Sequence, residues 1–101
     1  MGVRVLVGAV KALRIARLQD LGCMACRQDG NYGVPSDLHH PTEGGRRIGD
    51  DVVVPLCPFH HRGVGNPPFG GAPSLALSKR LFVQRYGTEK ELLAETERLL
   101  A

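Results

Sequence analysis

The sequence predicts a small α+β fold, and three observations carry that expectation. The first is a Cys-x2-Cys at Cys23 and Cys26, answered about thirty residues later by a Cys-x2-His at Cys57 and His60, the ligand spacing of two loops closed on one tetrahedral zinc ion. The second is the order of patterns between and around these ligands: an extended segment, a Gly-rich loop, a β-branched run and then a short helix. The third is helical periodicity on both flanks. Together they describe a zinc-stabilised core of two strands and a helix, with an N-terminal helix before it and two C-terminal helices after it. Residues 1–101 are expected to form one domain.

A chain of 101 residues buries a core that stabilises it only modestly, so a structural metal would add usefully to the fold. The net charge of +3 favours polyanions through long-range attraction, but a bias this small does not single out nucleic acid. Three cysteines is an odd number, which argues against a secreted disulfide framework and for thiolate chemistry in a reducing compartment. The apolar N-terminus carries Arg4 and has no cleavage-site pattern, and no run reaches the ~18 apolar residues of a bilayer span. A cytoplasmic protein without a membrane partner is expected.

Residues 3–7 (Val-Arg-Val-Leu-Val) fit either a short strand or a frayed lead-in, and the order of residues 1–9 stays open. Over residues 10–22 the apolar Val10, Leu13, Ile15, Ala16, Leu18 and Leu21 fall mostly at helical spacings, with Lys11, Arg14, Arg17 and Gln19 opposite and Gly22 as terminator. Gly-Cys-Met-Ala-Cys then reads as a knuckle, a tight turn whose amides face two thiolates, followed by a polar loop over 27–35. Residues 36–40 are expected to be extended, because Pro41 biases His40 away from helix. Residues 42–51 read as a flexible loop, and Val52, Val53 and Val54 as the second strand. After a Gly- and Pro-rich surface loop over 63–73, Ser74 can cap a helix over 75–86, with Leu75, Leu81, Phe82 and Arg85 facing the core. Thr88, with Glu91 three residues on, forms a capping box for a last helix that runs to residue 100.

The zinc assignment uses all three cysteines with His60. The competing account makes Cys23 and Cys26 a redox pair and Cys57 a buried apolar side chain. A redox motif usually opens a helix after a strand, whereas this one follows a helix-ending glycine, which favours zinc. In residues 55–63 (Pro-Leu-Cys-Pro-Phe-His-His-Arg-Gly), Cys57 and His60 lie one helical turn apart and can converge on one ion, while His61 points about 100° away.

His39, His40 and His61 are left over. No cysteine remains to close a second cage, so a metal among them would keep open coordination positions, as catalytic metals do. In an extended strand His39 and His40 face opposite ways; if one binds a metal beside His61, the other can deprotonate a water. A solvated His-His pair with no role is the plainer account of an isolated dipeptide. A second His-His one strand away weighs against it.

The run Asp-Leu-His-His, a loop, then Val-Pro-Leu-Cys-Pro-Phe-His-His resembles the HNH, or ββα-metal, endonuclease motif. More closely, Gly-Cys-Met-Ala-Cys, His-His-Pro-Thr-Glu-Gly-Gly-Arg-Arg-Ile-Gly, Pro-Leu-Cys-Pro-Phe-His-His-Arg-Gly-Val and Ala-Pro-Ser-Leu-Ala, with Phe82, Tyr86 and Gly87, are similar to the phage recombination-enhancement (Ref-type, RecA-dependent) nuclease family over residues 21–93. The resemblance implies His40 as general base, His39 and His61 as ligands of a catalytic Mg2+ or Mn2+, and Cys23, Cys26, Cys57 and His60 as ligands of a structural Zn2+. It departs at the middle residue of the motif, usually Asn or His, where only Asp50 and Asp51 are available here to orient His40 or add a cation ligand. It also implies a bacterial host cell, a phage or prophage origin, DNA as substrate and a RecA-type filament as a partner.

Such a site would hydrolyse a phosphodiester with an in-line water, a base for its proton and a cation for the charge on phosphorus and the leaving oxygen. Arg46, Arg47 and Arg62 are candidate phosphate contacts; for Arg46 and Arg47 a solvated loop is the plainer account. No helix presents Asn, Gln and Arg on one face, so low sequence specificity is expected. The alternative is a non-catalytic zinc-knuckle module that binds DNA or a partner protein, and it differs in having no need for His39, His40 and His61.

Overall fold

The computed structural model describes residues 3–43, 45–47, 49, 52–65 and 73–101. The elements run α1 (Val3–Leu21), α2 (Met24–Gln28), β1 (Asp37–His39), β2 (Thr42–Glu43), β3 (Arg46–Arg47), β4 (Val54–Leu56), α3 (Pro58–Arg62), α4 (Lys79–Tyr86) and α5 (Glu89–Leu100). Among the described residues no helix is long and apolar enough to cross a membrane.

Residues 3–7 are neither strand nor lead-in but the first turns of α1. A lone strand would leave its backbone groups unpaired, whereas a helix pairs its own. The apolar stripe read from residues 10–22 is less buried than its spacing suggested: Leu18 is 1% exposed, but Leu13 and Ile15 are 65% and 45% exposed. Leu18 packs with Val53 and Leu100 in a small cluster of its own. Arg14 bonds Glu97, and Arg17 donates to the Leu100 carbonyl, so α1 is held to the end of α5.

Gly22 ends α1 in the left-handed region (φ +71°), and a Cβ there would sit 2.6 Å from the Val34 backbone nitrogen. The close approach is used: Cys23 N–H donates to the Val34 carbonyl at 3.0 Å. The chain then re-enters helix at once. Cys23 is the N-cap of α2, so the Cys-x2-Cys opens a short helix, but it does so after the glycine that ends α1 and not after a strand, as the sequence indicates. The approach of Cys57 and His60 to the two sulfurs weighs further for zinc.

β1 and β4 pair antiparallel, with Asp37 opposite Leu56, Leu38 opposite Pro55 and His39 opposite Val54. The second strand is thus shifted two residues along from the valine run, sharing only Val54 with it, and includes Pro55. A proline has no N–H to give a ladder, and β4 tolerates it because β1 is its one strand partner among the described residues. This register delivers the chain from Leu56 straight into Cys57 and α3. The loop expected over 42–51 contains a small hairpin, with Thr42 opposite Arg47 and Glu43 opposite Arg46.

The helix expected over 75–86 is shorter. Ser74 caps only a turn, its Oγ accepting from Leu77 N–H at 3.2 Å. The N–H groups of Leu75 and Ala76 donate to the carbonyls of His60 and His61, at 2.7 and 3.2 Å. That turn is therefore oriented by the free carbonyls at the end of α3, and α4 starts afresh at Lys79. Leu75, Phe82 and Tyr86 are buried, but Leu81 is 58% exposed and Arg85 is also exposed, so the inner face of α4 is the Phe82–Tyr86 pair. The capping box at Thr88 and Glu91 is present, with both bonds at 3.1 Å.

Gly22→Ala carries both the left-handed backbone and the collision with Val34, whereas Gly30 (φ +86°) has nothing within 4 Å of a built Cβ. Denaturant titration should show Gly22→Ala losing more than the roughly 1–3 kcal/mol of backbone strain alone, and more than Gly30→Ala.

Candidate metal centre and histidine site

α2 and α3 begin in the same way. Cys23 Sγ accepts from Cys26 N–H, and Cys57 Sγ accepts from His60 N–H, both at 3.4 Å. Each knuckle thus places one sulfur at a helix N-cap and the second ligand a turn later. The two knuckles face each other, so that Cys23, Cys26, Cys57 and His60, all buried, bring four ligand atoms within 4.8 Å of one another. His60 Nδ1 lies 3.5, 3.3 and 3.1 Å from the sulfurs of Cys23, Cys26 and Cys57, and the sulfurs of Cys26 and Cys57 are 3.8 Å apart.

Those separations fit a tetrahedral ion. Zn–S bonds of ~2.3 Å and Zn–N bonds of ~2.0–2.1 Å imply edges of ~3.8 Å between sulfurs and ~3.5 Å between sulfur and nitrogen. Electrostatics point the same way. A hydrogen bond from Cys23 and further ones from His60 hold the Cys57 thiol down at about 4. The bond to Cys57, with burial, pushes Cys23 up, and burial pushes Cys26 up to about 12. Three thiols this close cannot all ionise together unaided, and a dication removes that conflict. The buried Cys3His group is therefore compatible with zinc.

His60 is oriented from behind. Its Nε2 is 3.1 Å from the Tyr86 hydroxyl, which donates to Asp29 Oδ2 at 2.7 Å. Burial, then the Asp29 contact, pushes the Tyr86 hydroxyl well up, so it stays a donor. It must then accept from His60 Nε2–H, which leaves Nδ1 bare toward the sulfurs. Phe82 lies edge-on to the His60 ring at 6.5 Å and completes an apolar wall.

His61, the next residue, turns to a second site. Its Nε2 lies 3.1 Å from His39 Nδ1, with ring centroids 4.8 Å apart. Two nitrogens at ~2.1 Å from one cation would be ~3.0 Å apart in adjacent octahedral positions and ~3.4 Å apart in tetrahedral ones, so the pair has the span to share an ion. His61 Nδ1 meets Asp37 Oδ2 at 3.1 Å, and Arg62 Nε donates to the same oxygen at 2.8 Å. Partial burial would raise the Asp37 carboxyl, but these two bonds outweigh it and hold it below the usual carboxylate range. His39 Nε2 meets Glu89 Oε1 at 2.5 Å. Burial lowers the His39 imidazole despite that carboxylate, which favours the neutral form that metal ligation requires.

His40 follows β1 and is half-buried, and its Nδ1 is fully covered yet bonded to nothing among the described residues. Asp50 and Asp51 lie outside the described residues. Arg46 and Arg47 are exposed on β3, while Arg62 is half-exposed and engaged with Asp37. The structure thus gathers His39 with His61, keeps the Cys3His group apart from them, and leaves Arg46 and Arg47 out on the hairpin.

Sequence reasoning missed four partners: Asp29, Asp37, Tyr86 and Glu89. Asp37 sat within the quoted Asp-Leu-His-His run without a role, and its place two residues before His39 on one strand face was a usable signal. Glu89 is fifty residues from His39 and carried none.

One zinc per chain by elemental analysis is the expected stoichiometry, and chelation should lower the melting temperature. Tyr86→Phe should weaken zinc retention in a chelator competition by roughly 10–100-fold, the usual effect of losing a partner behind a ligand; unchanged retention would discount the Tyr86 contact.

No curated protein matches the chain. The family model described as recombination enhancement, RecA-dependent nuclease matches residues 7–101. The match spans both knuckles, the strand pair, the histidine pair and the C-terminal helices, and the chain belongs to this family of RecA-dependent recombination-enhancement nucleases.

Proposed function

We propose that the protein is a metal-dependent DNA endonuclease of the HNH type, with a Zn2+ held by Cys23, Cys26, Cys57 and His60 for structure and a second, reactive cation held by His39 and His61. The observation that carries this proposal is the histidine pair itself: two inner ring nitrogens 3.1 Å apart, on a strand and a helix already fixed by the thiol cluster. Imidazole nitrogens suit Mn2+ better than the oxygen-seeking Mg2+.

His40 is the general base in this scheme. Its Nδ1 is covered and without a partner among the described residues, so the half-buried ring, when neutral, takes the proton of a water attacking phosphorus at its other nitrogen. Asp50 or Asp51 takes the middle position of the motif and orients His40. A divalent cation at the pair supplies charge neutralisation at the scissile phosphate and its leaving oxygen. Arg46, Arg47 and Arg62 hold flanking phosphates, for Arg62 in exchange for part of its contact with Asp37. DNA is the substrate and a RecA-type filament the partner, as the family description suggests. The site is cytoplasmic, in a bacterial host, for a protein of phage or prophage origin.

Supercoiled plasmid incubated with the protein and RecA filaments, with Mn2+, Mg2+ or EDTA, tests this. Cleavage is expected with Mn2+ at least as fast as with Mg2+, and none with EDTA. His40→Ala should reduce the rate by roughly 10²- to 10⁴-fold, the scale of general-base catalysis. Cleavage by His40→Ala at the wild-type rate overturns the assignment, and DNA binding without cleavage under every condition marks a zinc-knuckle binding module instead.

A further inference from the structure

The two histidines of the pair have matching surroundings. His61 has Asp37 at Nδ1 and His39 at Nε2, at 3.1 Å each, while His39 has Glu89 at Nε2 at 2.5 Å and His61 at Nδ1. A carboxylate only accepts hydrogen bonds, so each outer nitrogen must carry the ring proton. In their neutral forms, rings held in this way turn two bare lone pairs toward each other. Such an arrangement is repulsive on its own and becomes favourable when a cation lies between the two nitrogens.

Asp37 can do this because it shares β1 with His39 and faces α3. Glu89 comes from elsewhere. It is the first residue of α5, and an acidic side chain there is ordinarily explained by the positive end of the helix dipole. That explanation does not account for its contacts. The cap of α5 is already closed by Thr88 and Glu91, and the Glu89 side chain is only 15% exposed, turned inward onto a His39 side chain that is 16% exposed. A carboxylate placed for the dipole alone has no reason to be buried against an imidazole.

We propose that Glu89 is a positioning residue of the cation site: it fixes His39 as the Nε2–H tautomer and so aims the Nδ1 lone pair at the point shared with His61. The capping box sets where α5 begins, and the start of α5 sets where Glu89 points. The C-terminal helix thereby completes a site whose ligands lie on β1 and α3. The inference rests on His39 and His61 as the cation ligands.

The test uses the zinc-loaded full chain in wild-type, Glu89→Gln, Glu95→Gln and His61→Ala forms. Ring-nitrogen NMR at neutral pH without added cation reads the tautomers, and Mn2+ titration reads the second site. Wild type should show His39 protonated at Nε2. In Glu89→Gln, whose amide accepts more weakly and can present N–H instead, the proton should redistribute toward Nδ1, and Mn2+ affinity should fall roughly 10–100-fold. Glu95→Gln, which removes a carboxylate of the same helix that is bonded to Arg98 and not to His39, should leave tautomer and Mn2+ affinity unchanged. An unaltered His39 tautomer in Glu89→Gln overturns the proposal. Unaltered Mn2+ affinity in Glu89→Gln, with binding lost in His61→Ala, overturns it while sparing the cation site. Full Mn2+ binding by His61→Ala removes the cation site and the proposal with it.

Discussion

Three sulfurs and one imidazole nitrogen converge within 4.8 Å, and most of the structure depends on that convergence. α2 and α3 have five residues each, too few for a helix to persist in water on its own propensity. Each is held at its start by a cysteine sulfur that accepts a backbone N–H, and each contributes the second ligand of its knuckle. β1 and β4 have three residues each, likewise too little for an independent hairpin. The buried cluster around the cysteines includes Val54, Leu56, Leu75, Phe82, Tyr86 and Leu92, so the ligand group lies inside the core. A domain of this size gains from such a tie what it cannot obtain from apolar area alone.

The second consequence is the division between His60 and His61. They are neighbours in a single helical turn, yet His60 is fully buried against the thiols while the His61 side chain remains 24% exposed beside His39. The helix geometry that puts Cys57 and His60 on one side obliges His61 to face another. A rigid closed group can thereby hold an open one in register, one residue away, and the precision of the outer site derives from the inner. The free carbonyls of His60 and His61 are taken by Leu75 and Ala76, which anchors the following turn to the same short helix.

Each imidazole of the two groups is also steadied at its far nitrogen. Tyr86 and Asp29 stand behind His60, Asp37 behind His61 and Glu89 behind His39. These partners come from α4, the loop after α2, β1 and α5, so the orientation of the rings draws on segments from distant parts of the chain. Arg62 and Arg85 balance the carboxylates of Asp37 and Asp29 from the surface. Helices that look like plain scaffold in the sequence are thus tied to ring orientation in both sites.

The sequence alone determined whatever depends on spacing along the chain. Cys23 with Cys26, and Cys57 with His60, are each pairs within one turn, and the opposed direction of His61 follows from 3.6 residues per turn. The helix stop at Gly22 and the capping box at Thr88 and Glu91 are local too, and both were legible. The tertiary structure alone decided what depends on contact across the chain. The strand slid from the valine run to Val54–Leu56 because its register is set by β1, and the turn at Ser74 is docked on the carbonyls of His60 and His61, with α4 beginning only at Lys79. The stripe on α1 promised more burial than Leu18 provides, since periodicity shows that a face exists and not how much of it is covered. The partners behind the histidines were illegible for the same reason: a carboxylate fifty residues away acquires its meaning only when folding brings it against a ring.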